Sequence, residues 1–208
     1  MENPGKNESY SEYDNFMFHP YNVMLFLTLI AITALFLALS ISFIYTRVQS
    51  GVGAVKIPLL FGFNTVILLA SSFTMLRAKK AYRNDETAVY QQALKHTIWL
   101  TLAFLLMQLV AWNQLFGENI FVHTDNSAGY LYLLSFLHFA HVIAGLPFLV
   151  LFLRTAKLQM KEPVTVLVYF SDPEKRLKLR LLSIYWHFLD GLWIFLVVFL
   201  LANQLIVV

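Results

Sequence analysis

Five long apolar runs separated by short polar connections set the pattern of this chain, at residues 21–45, 57–76, 97–116, 130–153 and 181–208. Each is near the ~20 residues that a helix, rising ~1.5 Å per residue, needs to cross ~30 Å of hydrocarbon. None alternates with period two, and only helices or closed barrels satisfy the backbone in lipid, so the pattern predicts membrane helices. Gln108, Trp112, Asn113 and Gln114 thin the third run, which leaves a re-entrant segment as the other reading beside a full span. No connection is long enough to be a soluble domain; the longest, residues 154–180, carries Pro163 and Pro173 as breakers. The expected fold is an all-α integral membrane protein with five transmembrane helices. It comprises a polar tail over residues 1–20 and one membrane domain over 21–208, with spans at about 21–45, 57–76, 97–116, 130–153 and 181–203. No internal repeat is visible, which disfavours an inverted-repeat transporter.

Composition supports this. With 59% hydrophobic and 13% charged residues among 208, the chain has more apolar surface than one soluble core would hide. There is no cysteine, so disulfides, thiolate-ligated metals and cysteine nucleophiles are excluded. The net charge of +3 does not point to nucleic acid, because the cations sit between the apolar runs. Lys6 is in the tail, Arg47 and Lys56 in the first connection, and Arg77, Lys79, Lys80, Arg83 and Lys95 in the second. The third, residues 117–129, has none, and the fourth has Arg154, Lys157, Lys161, Lys175, Arg176, Lys178 and Arg180. A cytoplasmic amino terminus puts thirteen of the fifteen cations inside and the carboxyl terminus outside. The tail, with Glu2, Glu8, Glu12 and Asp14 against Lys6, is unlike a signal peptide and reads as uncleaved. On the cytoplasmic side, its Asn7-Glu8-Ser9 sequon goes unused.

Polar groups inside the runs need partners, and they are Asn64, Ser71, Ser72, Gln108, His138, His141, His187 and Asp190. Counting depth at ~1.5 Å per residue puts Asp190 roughly 13 Å above the inner end of its span and His141 roughly 16 Å below the outer end of its own. Gln108 also falls near the midplane. A buried polar layer of Gln108, His141 and Asp190 is therefore expected, with Asp190 accepting a hydrogen bond from the His141 imidazole. It would serve as helix glue or as a proton relay. His138 and His141, and His187 and Asp190, are spaced by three and can present metal or haem ligands. Any further ligands must come from other helices without cysteine, so no metal or cofactor is expected on this chain. A phosphate loop and a nucleophile set beside a base are both missing, so no catalytic residue is expected either. Tyr130, Tyr132, Tyr185, Trp186 and Trp193 suit an aromatic belt or a packed face. Arg77, Lys79, Lys80, Arg83, Arg176, Lys178 and Arg180 are candidate lipid head-group contacts, with a plain topological role as the simpler reading.

Three motifs carry a resemblance to a known family. Tyr185, Trp186, His187, Phe188, Asp190 and Trp193 spell YWHFxDxxW; His138, His141, Val142 and Gly145 spell HxxHVxxG; Pro58, Asn64, Thr65, Leu68, Leu69, Ser71 and Ser72 spell PxxxxxNTxxLLxSS. In order and spacing these resemble subunit III of the haem-copper terminal oxidases in its short five-helix bacterial form. The resemblance covers nearly all of residues 21–203. It implies a subunit without redox centres in the bacterial inner membrane, packed against the catalytic subunit that holds the haems and copper. The complex would reduce oxygen to water while moving protons, with cytochrome c as donor. Partners implied are subunit I, subunit II and a fourth subunit, with bound phospholipid, support of proton uptake, and a place in a respiratory supercomplex as a further option. Quinol oxidase subunit III, a nitric oxide reductase accessory protein and a free-standing small transporter are the alternatives. Two departures weaken a proton-handling role: no acidic residue lies in 21–45, and Ala111 stands where many relatives have a glutamate three residues after the glutamine.

Overall fold

The computed structural model describes residues 20–51, 53 and 56–205. The expected tail, apart from Pro20, and the last three residues of the fifth run lie outside them. The described chain forms six helices: α1 (Pro20–Ser50), α2 (Leu59–Arg83), α3 (Thr87–Gly117), α4 (Asn126–Gln159), α5 (Pro163–Ser171) and α6 (Pro173–Leu205). All except α5 are long and apolar enough to cross a membrane. The described part of each predicted run falls within one of these five, except that 57–76 begins just before α2. The helices overshoot the runs because a helix does not end where the hydrocarbon does; its polar turns continue into the water layer. α3 is continuous through Gln108 to Gln114, so the third run is a single helix long enough to cross a membrane and not a re-entrant pair.

The short α5 lies within the connection 154–180, where the sequence pattern predicts no helix. Its two breakers act instead as starters. Pro163 opens α5 and Pro173 opens α6, at first-turn positions where a missing N–H costs nothing. A reciprocal cap between Glu162 and Thr165 fixes the start of α5. At the opposite kind of boundary, α2 and α3 both close in tight turns with a residue in the left-handed region, Asp85 (φ 56°) and Asn119 (φ 58°). Beyond these, Glu86 N–H reaches Ala81 O at 3.0 Å and Ile120 N–H reaches Leu115 O at 3.0 Å. Asp and Asn tolerate that conformation better than other side chains, so these turns need no glycine.

Neighbouring spans run antiparallel. Asn64 and Thr74 of α2 meet Gln108 and Thr97 of α3 in reverse order. Trp112 of α3 meets Ser135 of α4, and Ser42 of α1 meets Tyr130 at the start of α4. As the fifth span in this alternating series, α6 is parallel to α1, with Asn22 near Arg180 and Arg47 near Asn203. One end of the bundle thus gathers the connections 84–86 and 160–172 and all described Lys and Arg residues except Arg47 and Lys56. Two apolar cores result. One surrounds Phe61, Phe104 and Trp193; the other lies toward the cationic end around Tyr82, Tyr90, Tyr169, Phe170 and Trp186.

Candidate functional site: the polar seam between helices

The residues of two motifs close onto each other. Along α2 and α6, Trp193 Nε1 donates to Thr65 Oγ1 at 3.1 Å, Trp186 Nε1 donates to Ser71 Oγ at 3.1 Å, and Ser72 Oγ lies 2.7 Å from His187 Nδ1. The spacing explains the match. Seven residues separate Trp186 from Trp193 and six separate their acceptors Ser71 and Thr65, so the two bonds are spaced by nearly the same rise, ~9–10 Å, along both helices. In antiparallel helices the ascending order on one meets the descending order on the other.

Beside this ladder, Asn64 Nδ2 donates to Gln108 Oε1 at 2.8 Å, with both side chains fully buried. The third motif supplies close approach. A Cβ built on Gly145 of α4 would lie 2.9 Å from Tyr185 Cε1 and 3.1 Å from Trp186 Cζ3, so glycine lets α4 and α6 touch. Tyr185 OH then donates to His141 O at 2.9 Å.

The expected layer of Gln108, His141 and Asp190 is divided among different partners. Asp190 is 5% exposed, and its Oδ2 lies 3.8 Å from His187 Nδ1, one turn away on its own helix. His141 Nδ1 is 2.6 Å from Leu137 O, and its ring packs 6.0 Å from that of Phe36 on α1. The expected His141–Asp190 hydrogen bond is therefore corrected. Counting residues fixes height but not direction around the helix axis. Three residues turn a helix by ~300°, so His138 and His141 face different neighbours. It is His138 that enters the middle of the bundle, 5.0 Å from the Trp193 ring and edge-on to Phe104 at 5.8 Å. Among the described residues, no group of three or more His, Cys, Asp or Glu is arranged to hold a metal ion.

Other helix contacts went unread in the sequence. Trp112 Nε1 donates to Ser135 Oγ at 3.1 Å. Arg47, a cation of the first connection in the sequence pattern, is buried, and its Nη1 donates to Asn203 O. A signal existed: Ile32, Phe36, Ser40, Phe43 and Arg47 form one buried stripe of α1 at helical spacing. Of the candidate head-group cations, Arg180 Nη2 donates to Asn22 Oδ1 at 3.0 Å and Lys178 pairs with Glu174 at 2.6 Å. Arg77, Lys80, Arg83 and Arg176 are exposed at the same end, and Lys79 is half-buried there.

The family model of cytochrome c oxidase subunit III matches residues 13–203. A cytochrome c oxidase subunit 3 of Synechocystis sp. is 30% identical over 188 residues, covering 87% of this chain and 75% of that protein. The protein of the same name from Papio hamadryas is 31% identical over 149 residues, covering 68% of this chain and 48% of the relative. That of Bacillus subtilis is 31% identical over 134 residues, covering 64% and 59%. The chain thus spans about half to three quarters of these relatives' lengths. With the family model covering all three motifs and everything between them, this chain belongs to the cytochrome c oxidase subunit III family.

Proposed function

We propose that this chain works as the non-redox subunit III of a bacterial haem-copper respiratory oxidase, bracing the catalytic subunit rather than reacting itself. The α2–α6 ladder carries the reading, because it uses the family's polar signature residues as interhelical fasteners inside the bundle. What remains for a partner is apolar surface, including Phe26, Ile41, Phe73, Leu106 and Val198, each more than half exposed. Such faces suit the membrane helices of the haem- and copper-bearing subunit I, with subunit II and a fourth subunit completing the complex. Asp190, set beside His187, orients α6 in this account. Cytochrome c is the proposed donor. The cationic end lies on the cytoplasmic side, in keeping with the distribution of Lys and Arg, and faces anionic lipid head groups there. Deleting this chain tests the proposal. The remaining complex should keep its haem absorbance and initial oxygen uptake but lose activity over fewer turnovers; an unchanged lifetime would contradict the bracing role.

A further inference from the structure

α4 carries a feature that the polar seam does not use. Pro147 stands inside it, and because a proline ring has no N–H, Ile143 O loses the donor that a helix returns to it one turn later. Ile143 lies within one turn of the middle of the run 130–153, a depth that bulk water does not reach. A carbonyl without a donor is costly there. Membrane helices meet a freed carbonyl with a hydroxyl of the same helix, a local change of helical turn, an ordered water or a neighbouring helix. Residues 136–151 hold no serine or threonine. Residues 137–151 stay α-helical throughout, with no tighter or wider turn to close the gap. The neighbours of α4 within the chain occupy its other sides: α3 where Trp112 meets Ser135, α1 where Ser42 meets Tyr130, and α6 where Tyr185 meets Gly145. Facing outward are Ala140, Ile143, Ala144, Pro147, Phe148 and Leu151, with Ile143 itself 45% and Phe148 58% exposed.

We infer that this face of α4 receives a membrane helix of a partner subunit, and that the partner helix aims a side-chain O–H or N–H at Ile143 O. The complementarity is electrostatic. The oxygen is the negative end of a peptide dipole, and it calls for a polar hydrogen at a depth where acyl chains have none to give. Lipid would cover Phe148 and Leu151 as well as a helix does, but only protein satisfies the carbonyl beside them. Ala140 and Ala144 are too small to screen it from a side chain reaching across. Of the six prolines in the sequence, only Pro147 lies inside a described helix past its first turn, so the apolar faces of the other spans carry no such opening. This rests on the chain being one subunit of a membrane complex, as proposed above, and adds which face is covered and by what chemistry.

A photoreactive p-benzoylphenylalanine in place of Phe148, irradiated in native membranes that hold the whole complex, should join this chain to a different subunit. An adduct of lipid mass alone, an adduct to a second copy of this chain, or no adduct at all would each overturn the assignment. Haem-bearing subunits recovered with the tagged chain from those same membranes would leave the oxidase reading standing in that event. For the carbonyl, Pro147→Ala and Pro147→Gly both return an N–H to Ile143 O, one within a stiff helix and the other within a pliable one. Both should lower retention of the partner through a detergent titration by about threefold, the factor that matches an average hydrogen bond between membrane helices. Unchanged retention in both variants would overturn the role of the carbonyl. A loss in one variant alone would trace the effect to the shape of the helix and overturn it as well.

Discussion

Trp186 and Trp193 each direct an indole N–H at a hydroxyl of the facing helix, and in a membrane the alternative to such a bond is an unsatisfied donor among hydrocarbon. Ser71→Ala should therefore leave the buried Trp186 N–H without an acceptor and cost about 1–3 kcal/mol. The check is a thermal melt in mild detergent. Ser50→Ala removes only an exposed hydroxyl bonded to Thr46 O of its own helix and should stay near wild type; equal losses would contradict the ladder. For Asn64 and Gln108, a double-mutant cycle to Leu should return a coupling of about 0.6–1.7 kcal/mol, the range found across membrane helices, and a coupling near zero would show that the pair is not formed. At this scale the sequence revealed two of the three expected buried groups but not whom they meet; His141 is only half-buried. Gln108 and Asp190 are buried as expected, since a polar residue amid an apolar run has few other choices. His141 was matched to Asp190 by height alone, and the facing direction went to His138.

Between elements, the close approach of α4 and α6 hangs on one missing side chain. Gly145→Ala must displace Tyr185, Trp186 or both, and should lower stability by about 1–3 kcal/mol. A melt unchanged from wild type would mean the two helices can part freely. The α5–α6 junction answers to pH. Burial alone raises the Asp172 carboxyl, but N–H bonds from Lys175 and Glu174 and the Lys175 ammonium outweigh it and hold the group below the usual carboxylate range. A lowered folded value means the contribution is full above the unfolded value of ~4 and is lost as pH falls through the folded one. First-turn amides of α6 should lose exchange protection below about pH 4 relative to Asp172→Asn, which keeps a cap but has no charge to lose; parallel pH profiles would refute this. The five spans were legible because each holds some twenty apolar residues, whereas α5 is too short to display a period and its two prolines look like breaks rather than starts.

For the whole molecule, alternating helices and uneven charge are one property seen twice. Every second crossing returns the chain to the end that carries most of its cations, where the connections 84–86 and 160–172 lie together. Family membership was readable from the three motifs, since the seam they build requires those residues at those spacings. The faces that meet other subunits were not readable, because lipid and a partner helix select the same apolar side chains. Solubilising native membranes in mild detergent and recovering this chain by an affinity tag tests the bracing role most directly. The recovered material should show haem absorbance and reduce oxygen, and the chain stripped of its partners should show no haem bands. Recovery of the chain alone from gently solubilised membranes, stable and free of any haem-bearing partner, would contradict the account.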